Sequence, residues 1–124
     1  MAVLLVAAGG ACGAVLRYLL GLIPLPGAFP AITLGINFIG ALVIGAVSEA
    51  AIGGEALSPR SVLFLKTGFC GGFTTFSTFS LETLGLIEQG RTWMAAAYAV
   101  FSVALCLLGV LLGKLAVRAV RGAA

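Results

Sequence analysis

The sequence predicts an all-α membrane protein with four transmembrane helices, the third of which is broken near the middle of the membrane. The chain has 124 residues, of which 61% are hydrophobic and only 9% are charged. A soluble domain has about 25% charged residues, so this chain cannot present a wetted surface on every side. Apolar runs of about 20 residues, the length that crosses a bilayer, occur four times. We expect residues 1–124 to form a single four-helix transmembrane domain.

The spans are predicted from the apolar runs and from the breakers between them. No basic segment precedes the first run, which favours a span over a cleaved signal peptide. Three prolines and a glycine within residues 23–30 indicate a short external connection. Residues 53–59 and 88–92 are interpreted as a loop and a turn, and both termini should lie on the same side. The predicted spans are about 2–22, 31–52, 60–87 and 93–117.

The third predicted span contains a segment that is unusual for a membrane helix, GFCGGFTTFSTFS at residues 68–80. It combines three glycines with five hydroxyl side chains and carries no charge. Gly71 and Gly72 are poor helix-interior residues, whereas serine and threonine bond their own backbone and favour caps. One interpretation is a continuous helix whose small residues pack on a neighbour. We favour two half-helices joined by an unwound stretch near the midplane.

An unwound stretch in a membrane suggests an ion site. Free N–H and C=O groups are tolerated at this depth only where protein buries them or where they line a cavity. Freed carbonyls suit a cation, and the N-terminus of the second half-helix suits an anion. We therefore expect the break to be an ion site.

Uncharged hydrogen-bonding side chains recur on other predicted spans. Thr33 and Asn37 share one face of the second span, and Tyr98, Ser102 and Cys106 share one face of the fourth. A midspan amide is costly unless it bonds a partner or faces water. Neutral donors that are aligned through a membrane suit a small anion whose hydration shell they replace.

Phenylalanines add to this pattern, because an aromatic ring has a positive edge. Phe76 and Phe79 lie three residues apart on the second half-helix, so both could turn their edges toward an anion. Phe29, Phe38 and Phe101 are interpreted as core or lipid contacts.

Small residues at close-packing spacing indicate tight helix contacts. The sequence leaves open whether each pair packs within the subunit or between subunits, although some oligomer is expected. The pairs are Gly9 and Gly13, Ala41 and Gly45, and Gly109 and Gly113.

Composition argues against several function classes. The chain has no histidine, its three cysteines show no metal or redox spacing, and its carboxylates show no paired arrangement, so we expect no enzyme. Seven basic residues give no nucleic-acid signal. A proton-coupled four-span exporter of cations or drugs needs a carboxylate in the first span, which here holds Arg17 and no acid. A structural membrane subunit that transports nothing would not need the hydroxyl-rich break.

The residues quoted above closely resemble the signature of a known family. GFCGGFTTFSTFS, together with GGACGAVLRY in the first span and TLGINFIGALVIG in the second, resembles the small fluoride channels called Fluc or CrcB. This resemblance implies a multi-pass protein of the cell inner (plasma) membrane that pairs as an antiparallel, dual-topology homodimer. Such a pair carries two pores through which fluoride leaves the cytoplasm passively, which gives fluoride resistance.

The resemblance also implies roles for individual residues. A structural sodium ion is expected at the dimer centre, held by the backbone carbonyls of Gly71 and Thr74. Arg17 and Glu82 match further positions of the family. The fluoride pore is expected to involve Asn37, Phe76, Phe79, Thr33, Ser77, Thr78, Tyr98 and Ser102.

Two features depart from the family pattern. Cys106 stands in the polar track of the fourth span where a hydroxyl is expected, and a thiol is a weak donor. Five basic residues lie toward one side of the membrane and two toward the other, which is a larger bias than a protein inserting in both orientations needs. The five are Arg60, Lys66, Lys114, Arg118 and Arg121, and the two are Arg17 and Arg91.

Overall fold

The computed structural model describes residues 1–52 and 57–123, and within these ranges the regular structure is entirely helical. Helix α1 spans Ala2–Gly21 and α2 spans Ala31–Ala50. Residues 53–56, most of the loop predicted at 53–59, lie outside the described residues.

The third predicted span consists of two helices. Helix α3 covers residues 59–73 and begins after Ser58, whose Oγ accepts a 3.1 Å hydrogen bond from the N–H of Ser61. Its middle, Leu63–Cys70, is a π-helix, and its last turn, Gly71–Phe73, is α-helical. Thr74 and Thr75 are extended, and α4 then runs over Phe76–Glu88. The third span is therefore broken, as the sequence predicts.

The break is narrower than the sequence suggested, because the two glycines stay helical. Gly71 and Gly72 both belong to the last turn of α3. A Cβ atom at position 72 would lie 3.0 Å from the backbone C and Cα atoms of Gly10 on α1. Gly72 thus permits close packing of two helices and does not unwind the chain, whereas the two threonines do.

The last helix, α5, continues past the predicted end at residue 117 and spans Thr92–Gly122. Its 31 residues give a length of about 46 Å, well beyond a hydrocarbon core of about 30 Å. Two arginines tie the extension to the end of α2. Arg118 bonds both carboxylate oxygens of Glu49, at 2.8 and 3.2 Å. Arg121 donates to the carbonyls of Glu49 and Ala50, at 3.0 and 2.7 Å, and so satisfies acceptors that the end of α2 leaves free.

The helices associate mainly as α1 with α3 and α2 with α5, while α4 packs on α5. Side chains at Gly9 and Gly13 would collide with the backbone of α3, and side chains at Gly45 and Gly113 would collide with the backbones of α5 and α2. A Cβ at Gly109 would come within 3.3 Å of the Cβ of Ala41. The three small-residue pairs therefore pack within the subunit.

Large apolar side chains cover much of the surface of the chain. By length and composition, α1, α2 and α5 are able to cross a membrane. An exposed apolar surface of this extent requires lipid or a second subunit as its neighbour. The side chains concerned include Leu4, Tyr18, Phe76, Leu81, Val100 and Leu107, each more than half exposed.

Candidate functional site

The break between α3 and α4 is held by one side-chain amide. Asn37 of α2 donates from Nδ2 to the carbonyl of Thr75 over 3.0 Å, and its Oδ1 accepts from the N–H of Thr75 over 2.8 Å. Both backbone polar groups of an extended residue are satisfied in this way. A carboxylate would supply the acceptor and no donor. The amide therefore explains how an extended residue is tolerated inside the bundle.

Thr75 also caps the second half-helix. Its Oγ1 accepts from the N–H of Thr78 over 3.2 Å and donates to the Oγ1 of Thr78 over 3.0 Å. The Ser77 Oγ lies 3.3 Å from the same oxygen. Thr75 was not among the predicted site residues, although a threonine followed three residues later by another hydroxyl, just before a helix, is a capping signal.

Some of the remaining carbonyls at the break accept hydrogen bonds, and others accept none. The Cys70 carbonyl accepts from the N–H and the Oγ1 of Thr74, at 3.0 and 2.8 Å. The Gly72 carbonyl accepts from Nε of Arg17 at 3.1 Å. The carbonyls of Gly71, Phe73 and Thr74 accept no hydrogen bond from any residue in the described ranges, and Phe73 is buried. Gly71 is exposed and Thr74 is half-buried, so both carbonyls belong to residues that reach the surface.

A groove of about 340 Å³ lies between α2, α4 and α5, beside the break. The rings of Phe76 and Phe79 have centroids 5.4 Å apart and are tilted by 40°. Ser102 is only 6% exposed, and its Oγ has no hydrogen-bond partner among the described residues. The groove thus brings together four of the predicted pore residues with Thr75 and Cys106; its lining includes Asn37, Thr75, Phe76, Phe79, Ser102 and Cys106.

A second cavity, of about 350 Å³, is lined by a further set of polar side chains. Arg17, Thr33, Thr78 and Glu82 line it, and Thr75 lines both this cavity and the groove. Thr33 Oγ1 donates to Oε1 of Glu82 over 2.7 Å. The two cavities therefore meet at the threonine that Asn37 holds.

Tyr98 lines neither cavity and yet contacts residues of both. The side chain is fully buried, and its hydroxyl donates to Oε2 of Glu82 over 2.6 Å. Its ring lies 5.2 Å from the ring of Phe79 and 5.6 Å, edge to face, from that of Phe29. Phe29 is expected to be a core or lipid contact, and the structure packs it on the buried cluster of Leu86, Ala95 and Tyr98, which confirms the core alternative. Ser77 lines neither cavity.

The chemistry that the groove offers is neutral. Its lining carries an amide, hydroxyls, a thiol, two aromatic rings and aliphatic carbon, with no ionisable carboxylate, lysine or arginine. Among the described residues there is no cluster of three or more histidine, cysteine or acidic side chains that could hold a metal ion. An anion in this groove would therefore meet weak donors and no opposite full charge.

The chain is similar to one family of proteins over nearly its whole length. The family model described as "CrcB-like protein, Camphor Resistance (CrcB)" matches residues 4–114. A relative from Chlorobaculum tepidum is 49% identical over 119 residues, covering 91% of this chain and 94% of the relative. Relatives from Rhizobium meliloti and Geobacter sulfurreducens are 47% and 49% identical, each covering 94% of this chain and 96% of the relative.

All three relatives carry the name "Fluoride-specific ion channel FluC". The matched region includes α1 to α4 and most of α5, so the break and both cavities lie inside it. With three helices apolar enough to cross a membrane, the chain is a multi-pass membrane protein and belongs to the CrcB family.

Proposed function

We propose that this chain is the subunit of a fluoride-selective channel, through which fluoride leaves the cell passively. The observation that carries this proposal is the groove beside the break, where a buried and unpartnered Ser102 hydroxyl faces the same space as Asn37 and the Phe76–Phe79 pair. The names of the relatives supply the identity of the ion.

The groove suits a small anion that must both enter and leave. Fluoride holds its water strongly, so a pore has to replace that water with other donors. Ring edges, an amide N–H and hydroxyls each donate without a full positive charge, and conduction requires binding weak enough for release. Asn37 has a second N–H beyond the one that bonds Thr75, and this N–H is available to the ion.

We propose further that two copies pair in opposite orientations across the membrane. Phe76 lines the groove and is nevertheless 79% exposed, so the groove is open at the surface there and a second copy would close it.

We propose a sodium ion at the centre of this pair, and the free carbonyls support this proposal. The residues present fit such an ion, because the oxygens of Gly71 and Thr74 accept no hydrogen bond within the described ranges, whereas those of Cys70, Gly72 and Thr75 are occupied. Carbonyl oxygens are hard ligands. One subunit supplies two of them, and a twofold pair would supply four. The ion would add positive charge beside the break and hold the two subunits together.

The aromatic pair provides the first test. We expect Phe79→Ile and Phe76→Ile to lower fluoride efflux strongly, because isoleucine keeps much of the bulk and lacks the positive ring edge. The measurement is the initial efflux rate from fluoride-loaded liposomes with an external fluoride electrode. Phe101→Ile is the matched control, since Phe101 is 54% exposed and lines neither cavity. Wild-type rates in both variants contradict the pore assignment, and wild-type protein without efflux contradicts the fluoride function.

The Asn37 amide, which bonds Thr75 at the break, provides the second test. Asn37→Asp removes the donor to the Thr75 carbonyl, which is part-buried, and the loss should approach the lower end of the about 1–3 kcal/mol that a buried unsatisfied acceptor costs. The new carboxylate also repels fluoride, so we expect a lower unfolding temperature together with loss of efflux. Ser80→Ala is the control, because its hydroxyl bonds only the Phe76 carbonyl of its own helix. An Asn37→Asp protein with wild-type unfolding temperature and efflux would refute the role given to this amide.

Opposed orientation is tested by labelling a cysteine that is placed near one terminus. In sealed cells, a membrane-impermeant maleimide should label part of an Ala123→Cys population, and permeabilisation should label the remainder. Wild-type protein controls for the three native cysteines, all of which lie within helices. Labelling from one side alone would show a single orientation and exclude the antiparallel pair.

Sodium is tested by removal. We expect purified protein to retain sodium through desalting and to lose efflux slowly during long dialysis into N-methylglucamine, because a buried ion exchanges slowly. Returning sodium should restore the rate. Elemental analysis of bound sodium is the independent readout, and full efflux from protein that is shown to be sodium-free would overturn the structural role.

A further inference from the structure

The groove contains a thiol that the proposed fluoride path does not need. Cys106 lies one helical turn beyond Ser102 on α5, and both side chains line the same space. Cys106 is partly exposed, whereas Ser102 is 6% exposed with no hydrogen-bond partner for its Oγ among the described residues. A soft sulfur atom and an unpartnered oxygen thus stand together in one cavity.

The other two cysteines differ from Cys106 in ways that allow a clean comparison. Cys70 is buried, with 1% of its surface exposed, inside the packed end of α3. Cys12 is exposed on α1 and lines neither cavity. Cys106 is therefore the cysteine that combines access to a cavity with a neighbouring polar group.

We propose that Cys106, assisted by Ser102, makes this groove a binding site for soft, thiol-seeking metal species of the organomercury class. Sulfur is the ligand that soft metals prefer over oxygen and nitrogen. The groove is walled mainly by carbon, so a neutral and apolar metal compound enters it more readily than a hydrated cation. Methylmercury chloride has these properties and forms a single bond to sulfur.

The step itself is a substitution in which no atom is oxidised or reduced. The S–H bond of Cys106 breaks and an S–Hg bond forms. Chloride leaves the mercury, and the thiol proton passes to water. Side chains at i and i+4 on a helix are neighbours, about 5–6 Å apart at their Cβ atoms, so the Ser102 oxygen is close to the metal bound at Cys106.

The bound metal also has a consequence for transport, which rests on the proposed function. The adduct would occupy the groove beside Asn37 and Phe79, in the space assigned to fluoride. Methylmercury would then block the channel, and an excess of a competing dithiol would reverse the block by removing the metal.

The experiment uses two variants of the full chain in liposomes. In Cys12→Ser, methylmercury chloride should add one adduct by intact mass and reduce fluoride efflux to that of protein-free liposomes. In Cys12→Ser/Cys106→Ser, it should add none, and efflux should stay at that variant's own untreated rate. Cys106→Ala replaces the serine variant if elution volume shows that serine disturbs folding.

Each further result decides a separate part of the proposal. An unmodified Cys12→Ser protein, or an adduct that survives Cys106→Ser, overturns the site, the latter by placing the metal on Cys70. An adduct at Cys106 with unchanged efflux overturns the block. If no untreated variant releases fluoride, the proposed function fails, while the adduct counts still decide whether Cys106 is the metal site.

Discussion

The pair of hydrogen bonds between Asn37 and Thr75 is the interaction on which the rest of the site depends. A membrane interior leaves extended backbone without water, so a break in a helix persists only where other groups replace the lost hydrogen bonds. One amide supplies both a donor and an acceptor to the same residue. It thereby fixes where α3 ends and where α4 begins, and the position of Phe76, the first residue of α4, follows directly.

The hydrogen bonds of the break also determine which of its carbonyls remain free. Side chains or neighbouring N–H groups occupy the carbonyls of Cys70, Gly72 and Thr75, and those of Gly71, Phe73 and Thr74 remain free within the described ranges. Other groups line the groove, among them the Ser102 hydroxyl and the rings of Phe76 and Phe79. The free carbonyls and the hydroxyl and rings of the groove therefore lie close together and are separate groups.

The sequence predicts the features that depend on residues near each other along the chain. The glycine pair and the hydroxyl-rich run after it predict the break, although only the hydroxyl part of that argument holds, and the spacing of Phe76 and Phe79 predicts a ring pair, which the structure contains. The sequence does not predict the features that depend on contacts between helices. Gly72 packs against the backbone of Gly10 within the last turn of α3, and α5 continues to Gly122 where arginines bond the end of α2. The π-helix in α3 had no sequence signal that we could identify.

Tyr98 shows why a list of pore-lining residues is an incomplete description of this site. Its hydroxyl bonds Glu82 in the second cavity, and its ring packs on Phe79 in the groove. Glu82 is in turn bonded by Thr33. Because Tyr98 has no exposed surface, its ring cannot shift without displacing packed neighbours. A change in the hydrogen bonds of Glu82 therefore reaches Phe79 through a rigid ring, so the polar cavity and the aromatic groove respond to a substitution as one unit.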